Sequence, residues 1–323
     1  MEFALSEEQR ELAATVRSLL AKRADPRVER YDEELWRTLC EQIGVAALAV
    51  PEEYDGFGAT LVESCVVLEE MGRTLAPTPL LSSVVTAEAL LAGADQDARG
   101  RLLSRIAAGE VAAFADGTEA ERVLDGDLAT VLVVAVDDGL FEVDPAAAER
   151  TWTPTMDQTL RLARVVTDPA AATRIGDAAP ARERAALVGA VAVAALQVGT
   201  AARGLEMTVA YSLERVQFGR PIGSFQALKH RMADQLVLVE MARSAAWAAS
   251  YAVAAGAPNA EQLVHVAKAY CGDALTHVSG ETVQLHGGIA ITWEHDAHLV
   301  LKRAHSLGTL FGASHEHRWQ VAL

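Results

Sequence analysis

The chain has 323 residues, 51% hydrophobic and 5% aromatic, with 28 Lys and Arg against 44 Asp and Glu for a net charge of −16. That length suits about two domains around a large core, and a mean hydropathy of +0.15 with 22% charged residues excludes a disordered chain. The acidic balance, with a pI near 5.0, argues against nucleic acid and anionic membrane surfaces, whose phosphates are held by clustered Lys and Arg.

The N-terminus, Met1-Glu2-Phe3-Ala4-Leu5, lacks the basic and apolar segments of a secretory signal. Ser6-Glu7-Glu8-Gln9 reads as a capping box, followed by Leu12, Val16, Leu19 and Leu20 at helical spacing. Further helices are predicted from Glu33 to Ile43, from Leu61 to Met71 with Gly72 as C-cap, and from Leu80 to Leu91 after the break at Pro77-Thr78-Pro79. The middle changes character. Thr130 to Val136 is a β-branched run, Asp137-Asp138-Gly139 is a hairpin signal before Leu140 to Val143, and Thr159 to Val166 is another strand candidate. Three to five strands are expected there. Beyond Ala181 the pattern is helical: Ala181 to Phe218 stopped by Gly219-Arg220-Pro221, Phe225 to Ala255, Asn259 to Leu285, and Asp296 to Phe311.

The expected architecture is mainly α with a reduced β middle: an N-terminal α-helical domain over 1–110, a truncated β-domain over 111–178 and a C-terminal four-helix bundle over 179–323. Cys40, Cys65 and Cys271 are far apart and odd in number, which points to a reducing compartment rather than a disulfide framework or zinc site. The most apolar run, Ala185 to Leu196, falls short of the ~20 residues needed to span a bilayer. A soluble, cytoplasmic protein is expected.

Generic catalytic signatures are missing: there is no G-x-G-x-x-G, Walker A loop, G-x-S-x-G elbow or H-E-x-x-H. His295 with His298, and His315 with His317, look superficially like metal ligands, but no Cys or carboxylate set completes a four-ligand site, so no metal is expected. Three segments say more. They are Leu48 to Gly58 (Leu-Ala-Val-Pro-Glu-Glu-Tyr-Asp-Gly-Phe-Gly), Glu214 to Gln226 (Glu-Arg-Val-Gln-Phe-Gly-Arg-Pro-Ile-Gly-Ser-Phe-Gln), and Gln284 to Glu294 (Gln-Leu-His-Gly-Gly-Ile-Ala-Ile-Thr-Trp-Glu), followed by Arg303.

In this order and spacing they resemble the acyl-CoA dehydrogenase family, and the resemblance extends to the Phe3-to-Leu20 helix and the Arg73-to-Phe114 region. It implies FAD and an acyl-CoA thioester, with a carboxylate taking the α-proton while the β-hydrogen leaves as hydride to the flavin. By the same resemblance Arg215 reaches the FAD pyrophosphate of a neighbouring subunit, Phe218 packs on that cofactor, Gln284 hydrogen-bonds its adenosine portion, and Gly287 and Gly288 allow backbone approach. Glu294 and Arg303 are expected to form an internal ion pair.

The sequence departs from the family at the base. Its two base positions fall at Phe311 and Gly189, neither able to take a proton, and Glu183 lies about 9 Å along the helix from the second. The flavin-ring stretches of the middle domain are not recognisable, and Thr151-Trp152-Thr153 is a poor substitute. Retained ADP-side contacts with a lost base resemble the short, non-catalytic subunit of a heteromeric α2β2 acyl-CoA dehydrogenase, like the actinobacterial enzymes of steroid side-chain CoA esters. This implies a homologous full-length catalytic partner that shares the FAD and holds most of the acyl-CoA, with an electron-transfer flavoprotein-type acceptor. The alternatives are a flavin-free scaffold of the same fold, or an active homo-oligomer using an unusual base such as Glu183 or Glu294.

Overall fold

The computed structural model describes residues 5–28 and 31–321; Phe3, where the family resemblance begins, lies outside them. In chain order the helices are α1 Glu7–Arg23, α2 Glu33–Gln42, α3 Leu61–Thr74, α4 Leu80–Gly93, α5 Gln96–Ala107, α6 Ala178–Glu214, α7 Gln226–Ala254, α8 Ala260–His286, α9 Ala297–Thr309 and α10 Ser314–Gln320. The strands are β1 Ala112–Asp116, β2 Glu119–Leu124, β3 Val131–Val136, β4 Gly139–Val143, β5 Glu149–Thr153, β6 Leu162–Val166, β7 Thr173–Asp177, β8 Val216–Gln217 and β9 Arg220–Pro221. Two compact units divide the chain: one of Met1–Pro26, Leu68–Ala76 and Val193–Leu323, the other of Arg27–Val67 and Pro77–Ala192.

In the second unit, β1 pairs parallel with β3, and β3, β4 and β7 follow antiparallel in the order β1-β3-β4-β7. The hairpin signal reads true: Val136 pairs with Gly139 across Asp137-Asp138, and Asp137 adopts φ +49° as the tight turn requires. A separate sheet, β2-β6-β5, closes over a core of Val123, Leu132, Val134, Ala163 and Val165. The segment thus carries seven strands among the described residues, more than the three to five expected. The two-sheet pairing explains the shortfall, because β2 and β5 turn most of their residues outward and so show no apolar run. The first family-like segment is a tight loop in this unit. A Cβ on Gly56 would lie 1.9 Å from the Val50 carbonyl oxygen, so its glycine is demanded by local packing.

In the first unit, α1 opens on the predicted capping box: the Gln9 amide N–H donates to Ser6 Oγ at 3.2 Å, and the Ser6 N–H to Gln9 Oε1 at 3.0 Å. Gly72 corrects an expectation. The helix runs through it to Thr74, and Gly72 is no C-cap; a Cβ there would lie 2.3 Å from Leu196 O on α6. Gly199 faces back, with its own virtual Cβ 1.8 Å from Glu69 O, so the two helices touch backbone to backbone. α6 also ends earlier than predicted, at Glu214, because residues 216–221 peel off as the β8–β9 hairpin. By length and composition α6 could cross a bilayer, yet 89% of its most apolar stretch is buried inside the protein, the pattern of a core helix.

Candidate functional site

The β8–β9 hairpin is built on α6. The Arg215 N–H donates to Tyr211 O at 2.9 Å, and the Ile222 N–H closes the hairpin on Arg215 O at 2.8 Å. At its tip Phe218 and Gly219 adopt φ +54° and +78°. Positive φ at two successive residues is what a tight hairpin turn asks for, and it is strained for phenylalanine. Phe218 is 91% exposed, its ring edge-to-face with Phe225 at 6.1 Å, while the Arg220 guanidinium lies over Phe225 at 4.1 Å. Arg215 is exposed, and no carboxylate among the described residues pairs with it.

The third family-like segment closes α8. Gln284 is exposed, His286 is buried, and Gly287 leaves the helix at φ +68° and ψ −147°, a conformation open only to glycine. Gly288 has no such constraint, and a Cβ on either glycine would meet nothing within 4 Å. Tyr211 stacks on His286 with ring centroids 4.6 Å apart, and His286 lies 4.5 Å from His295. Arg231 of α7 forks onto Glu281 of α8 through bonds of 2.6 and 2.7 Å. These contacts bring the C-terminal ends of α6 and α8 and the start of α7 to one end of the bundle. Arg215, Phe218, Gln284, Gly287 and Gly288 are therefore grouped there, turned outward. An exposed guanidinium without a counter-ion, a bare aromatic ring and an open backbone stretch fit the phosphate and adenosine end of FAD.

The aromatic cluster of Tyr211, His286 and His295 was not predicted. Burial holds the His286 imidazole below the usual histidine range, and His295 pushes it the same way. The four-residue spacing from Tyr211 to Arg215, one helical turn, was the available signal. Of the histidines that look superficially like metal ligands, His298 packs against Trp293 at 4.6 Å and His317 against His265 at 5.0 Å. Among the described residues no three His, Cys, Asp or Glu side chains converge.

Gly189 is buried within α6, and Glu183 is exposed on its first turns. Phe311 follows α9 at φ +52°, and its loop is clamped by side chains the sequence did not reveal. Lys268 Nζ, fully buried, donates to Gly312 O at 2.7 Å, and His317 Nε2 lies 2.8 Å from Phe311 O. A carbonyl only accepts, so Nε2 carries a proton; burial holds the His317 imidazole below the usual histidine range, and in that neutral form Nδ1 accepts from His265 Nδ1 at 2.8 Å. The expected Glu294–Arg303 pair does not form. Glu294 is exposed, its N–H held by Thr292 Oγ1 at 3.3 Å, while Arg303 is 2% exposed in α9. Thr151-Trp152-Thr153 ends strand β5, where the Arg161 guanidinium covers the Trp152 ring at 5.4 Å.

A helical N-terminal segment, two small sheets and a bundle of long helices make up an architecture of mainly α class with a small β middle. Residues 6–110 match the acyl-CoA dehydrogenase N-terminal domain and residues 181–322 its C-terminal domain, and the chain belongs to the acyl-CoA dehydrogenase family. It is 43% identical over 320 residues to acyl-CoA dehydrogenase IpdE2 of Mycolicibacterium smegmatis, covering 97% of each chain. The Tcur3481-Tcur3483 steroid ACAD G363A variant superposes with a TM-score of 0.86 at 28% identity, over 98% of this chain and 96% of that one. The ChsE4-ChsE5 complex from Mycobacterium tuberculosis shares the fold, with a TM-score of 0.89 at 24% identity over 99% and 98% of the two chains.

Proposed function

We propose that this chain is the non-catalytic subunit of a heteromeric, FAD-dependent acyl-CoA dehydrogenase acting on a steroid-derived acyl-CoA. The observation that carries the reading is the outward-facing group of Arg215, Phe218, Gln284, Gly287 and Gly288. It offers contacts for one end of a cofactor whose other end belongs to a neighbour. The two base positions support it, since a phenyl ring at Phe311 and a hydrogen at Gly189 cannot take an α-proton. The likeness to the Tcur3481-Tcur3483 steroid ACAD, whose name joins two proteins, supports the steroid class and the paired assembly.

FAD, when bound, accepts the hydride. This chain's part is to hold the cofactor: Arg215 through charge-assisted bonds to phosphate oxygens, Phe218 by covering the cofactor, Gln284 by hydrogen bonding, and the two glycines by keeping the approach clear. The full-length partner supplies the base and most of the acyl pocket.

The test is flavin absorbance of the chain purified alone and after co-expression with a full-length homologue from the same genome. FAD near one per heterodimer is expected in the complex, with none in the chain alone. Arg215→Ala should strip flavin from the complex while leaving the partner bound. Stoichiometric FAD in the isolated chain would overturn the reading.

A further inference from the structure

The turn between β2 and β3 carries Asp125, 7% exposed and at φ +52°. Its backbone is fixed on both sides: the N–H donates to Arg161 O at 3.0 Å, and its carbonyl accepts from Leu128 and Ala129 at 2.9 and 3.0 Å. The side-chain Oδ2 lies 2.7 Å from Ser82 Oγ in the first turn of α4, and the same Oγ lies 2.9 Å from the Pro79 carbonyl oxygen. A serine hydroxyl has one proton, and a carbonyl oxygen can only accept. If that proton goes to Pro79, the shorter contact must be closed by a proton on Asp125.

The surroundings favour the neutral acid. Asp127, on the same turn, is a carboxylate that takes up the Arg161 guanidinium, whose Nε donates to it at 2.9 Å. Tyr31, before α2, joins Thr78, Thr159 and Arg161 in lining a cavity of about 10 Å³ beside Asp125, room for roughly one water. Burial pushes the Asp125 carboxyl up to about 7; Asp127 adds to this, while Arg161 and any proton offered by Ser82 oppose it.

We propose that Asp125 is held as a neutral carboxylic acid donating to Ser82 Oγ, and that this bond is a pH-sensitive latch between the β2–β3 turn and the first turn of α4. It concerns a different part of the molecule from the cofactor contacts and stands whether or not they do. Ionisation removes the donor and leaves a carboxylate and the Pro79 carbonyl competing for one hydroxyl proton. Because the folded chain holds this proton more tightly than the unfolded one, stability falls as pH rises from the ordinary carboxylate range to neutrality and levels off above it.

Urea unfolding of the full chain across that range, beside Asp125→Asn, tests the latch. An Asn amide donates as the acid does and tolerates positive φ. The ratio of wild-type to D125N unfolding constants should climb toward tenfold per pH unit within the window and flatten above about pH 7. A ratio independent of pH overturns the proposal. Infrared titration of the folded wild-type chain reads the same proton without unfolding. A protonated-carboxyl band persisting at about pH 6, well above the ordinary carboxylate range, and shifted in Ser82→Ala is expected; no such band at that pH overturns the latch.

Discussion

Arg243 on α7 is a guanidinium only 15% exposed, bonded to Glu69 at 2.8 Å and paired also with Glu240. Glu69 itself is 11% exposed, so removing the arginine strands a buried carboxylate. Arg243→Met should cost about 3 kcal/mol, read as a fall in the urea midpoint at unchanged slope. Lys268 makes the opposite kind of site, a buried ammonium held by carbonyls. Burial pushes it down to about 8 from an ordinary value of 10.5. Between those values the unfolded chain keeps a proton that the folded chain releases, so stability rises with pH across the window. Lys268→Met should abolish that rise, which urea midpoints between about pH 8 and 10 would reveal. Neither residue was marked by the sequence, because a charged side chain in a helix reads as solvated until its neighbours from distant segments are known.

Two glycines of different helices, Gly72 and Gly199, let α3 and α6 meet at their backbones, with the Thr200 hydroxyl donating to Gly72 O at 3.3 Å. Gly199→Ala gains about 1 kcal/mol of helix propensity but forces the helices apart, and overpacking of this kind costs some 1–3 kcal/mol or more. A net loss is expected, seen as a fall of several degrees in Tm, and Gly72→Ala should behave alike. The misreading of Gly72 follows from the same physics. A glycine late in a helical pattern serves equally as a stop or as a close approach, and local sequence does not separate the two. Signals that act within a few residues were legible: the Ser6–Gln9 box, the Asp137-Asp138 turn and the long helices. The pairing of β1 beside β3 and the sheet β2-β6-β5 was not, since these partners lie far apart in sequence and the exposed strands carry polar faces.

On the scale of the whole chain, the outward group at the end of the bundle was legible residue by residue, from the segments around Arg215 and Gln284. Their grouping was not, because it depends on Tyr211 meeting His286 across two helices. A charge of −16 disfavours association of identical copies through like-charged faces. Co-expression with the full-length homologue is expected to yield a complex whose native mass corresponds to two copies of each chain; a mass corresponding to this chain alone, with the partner recovered separately, would count against the paired assembly. Within this chain, Gly56, Gly72 and Gly199 are required by atoms that can be named, and Gly287 by its backbone angles, whereas at Gly288 there is ordinary backbone and open space. Selection for folding of the isolated polypeptide is therefore blind at position 288. A variant library sorted once for folding and again for flavin retention in the complex should agree at the first three glycines and disagree at the last, and positions of disagreement would trace the footprint of the neighbour.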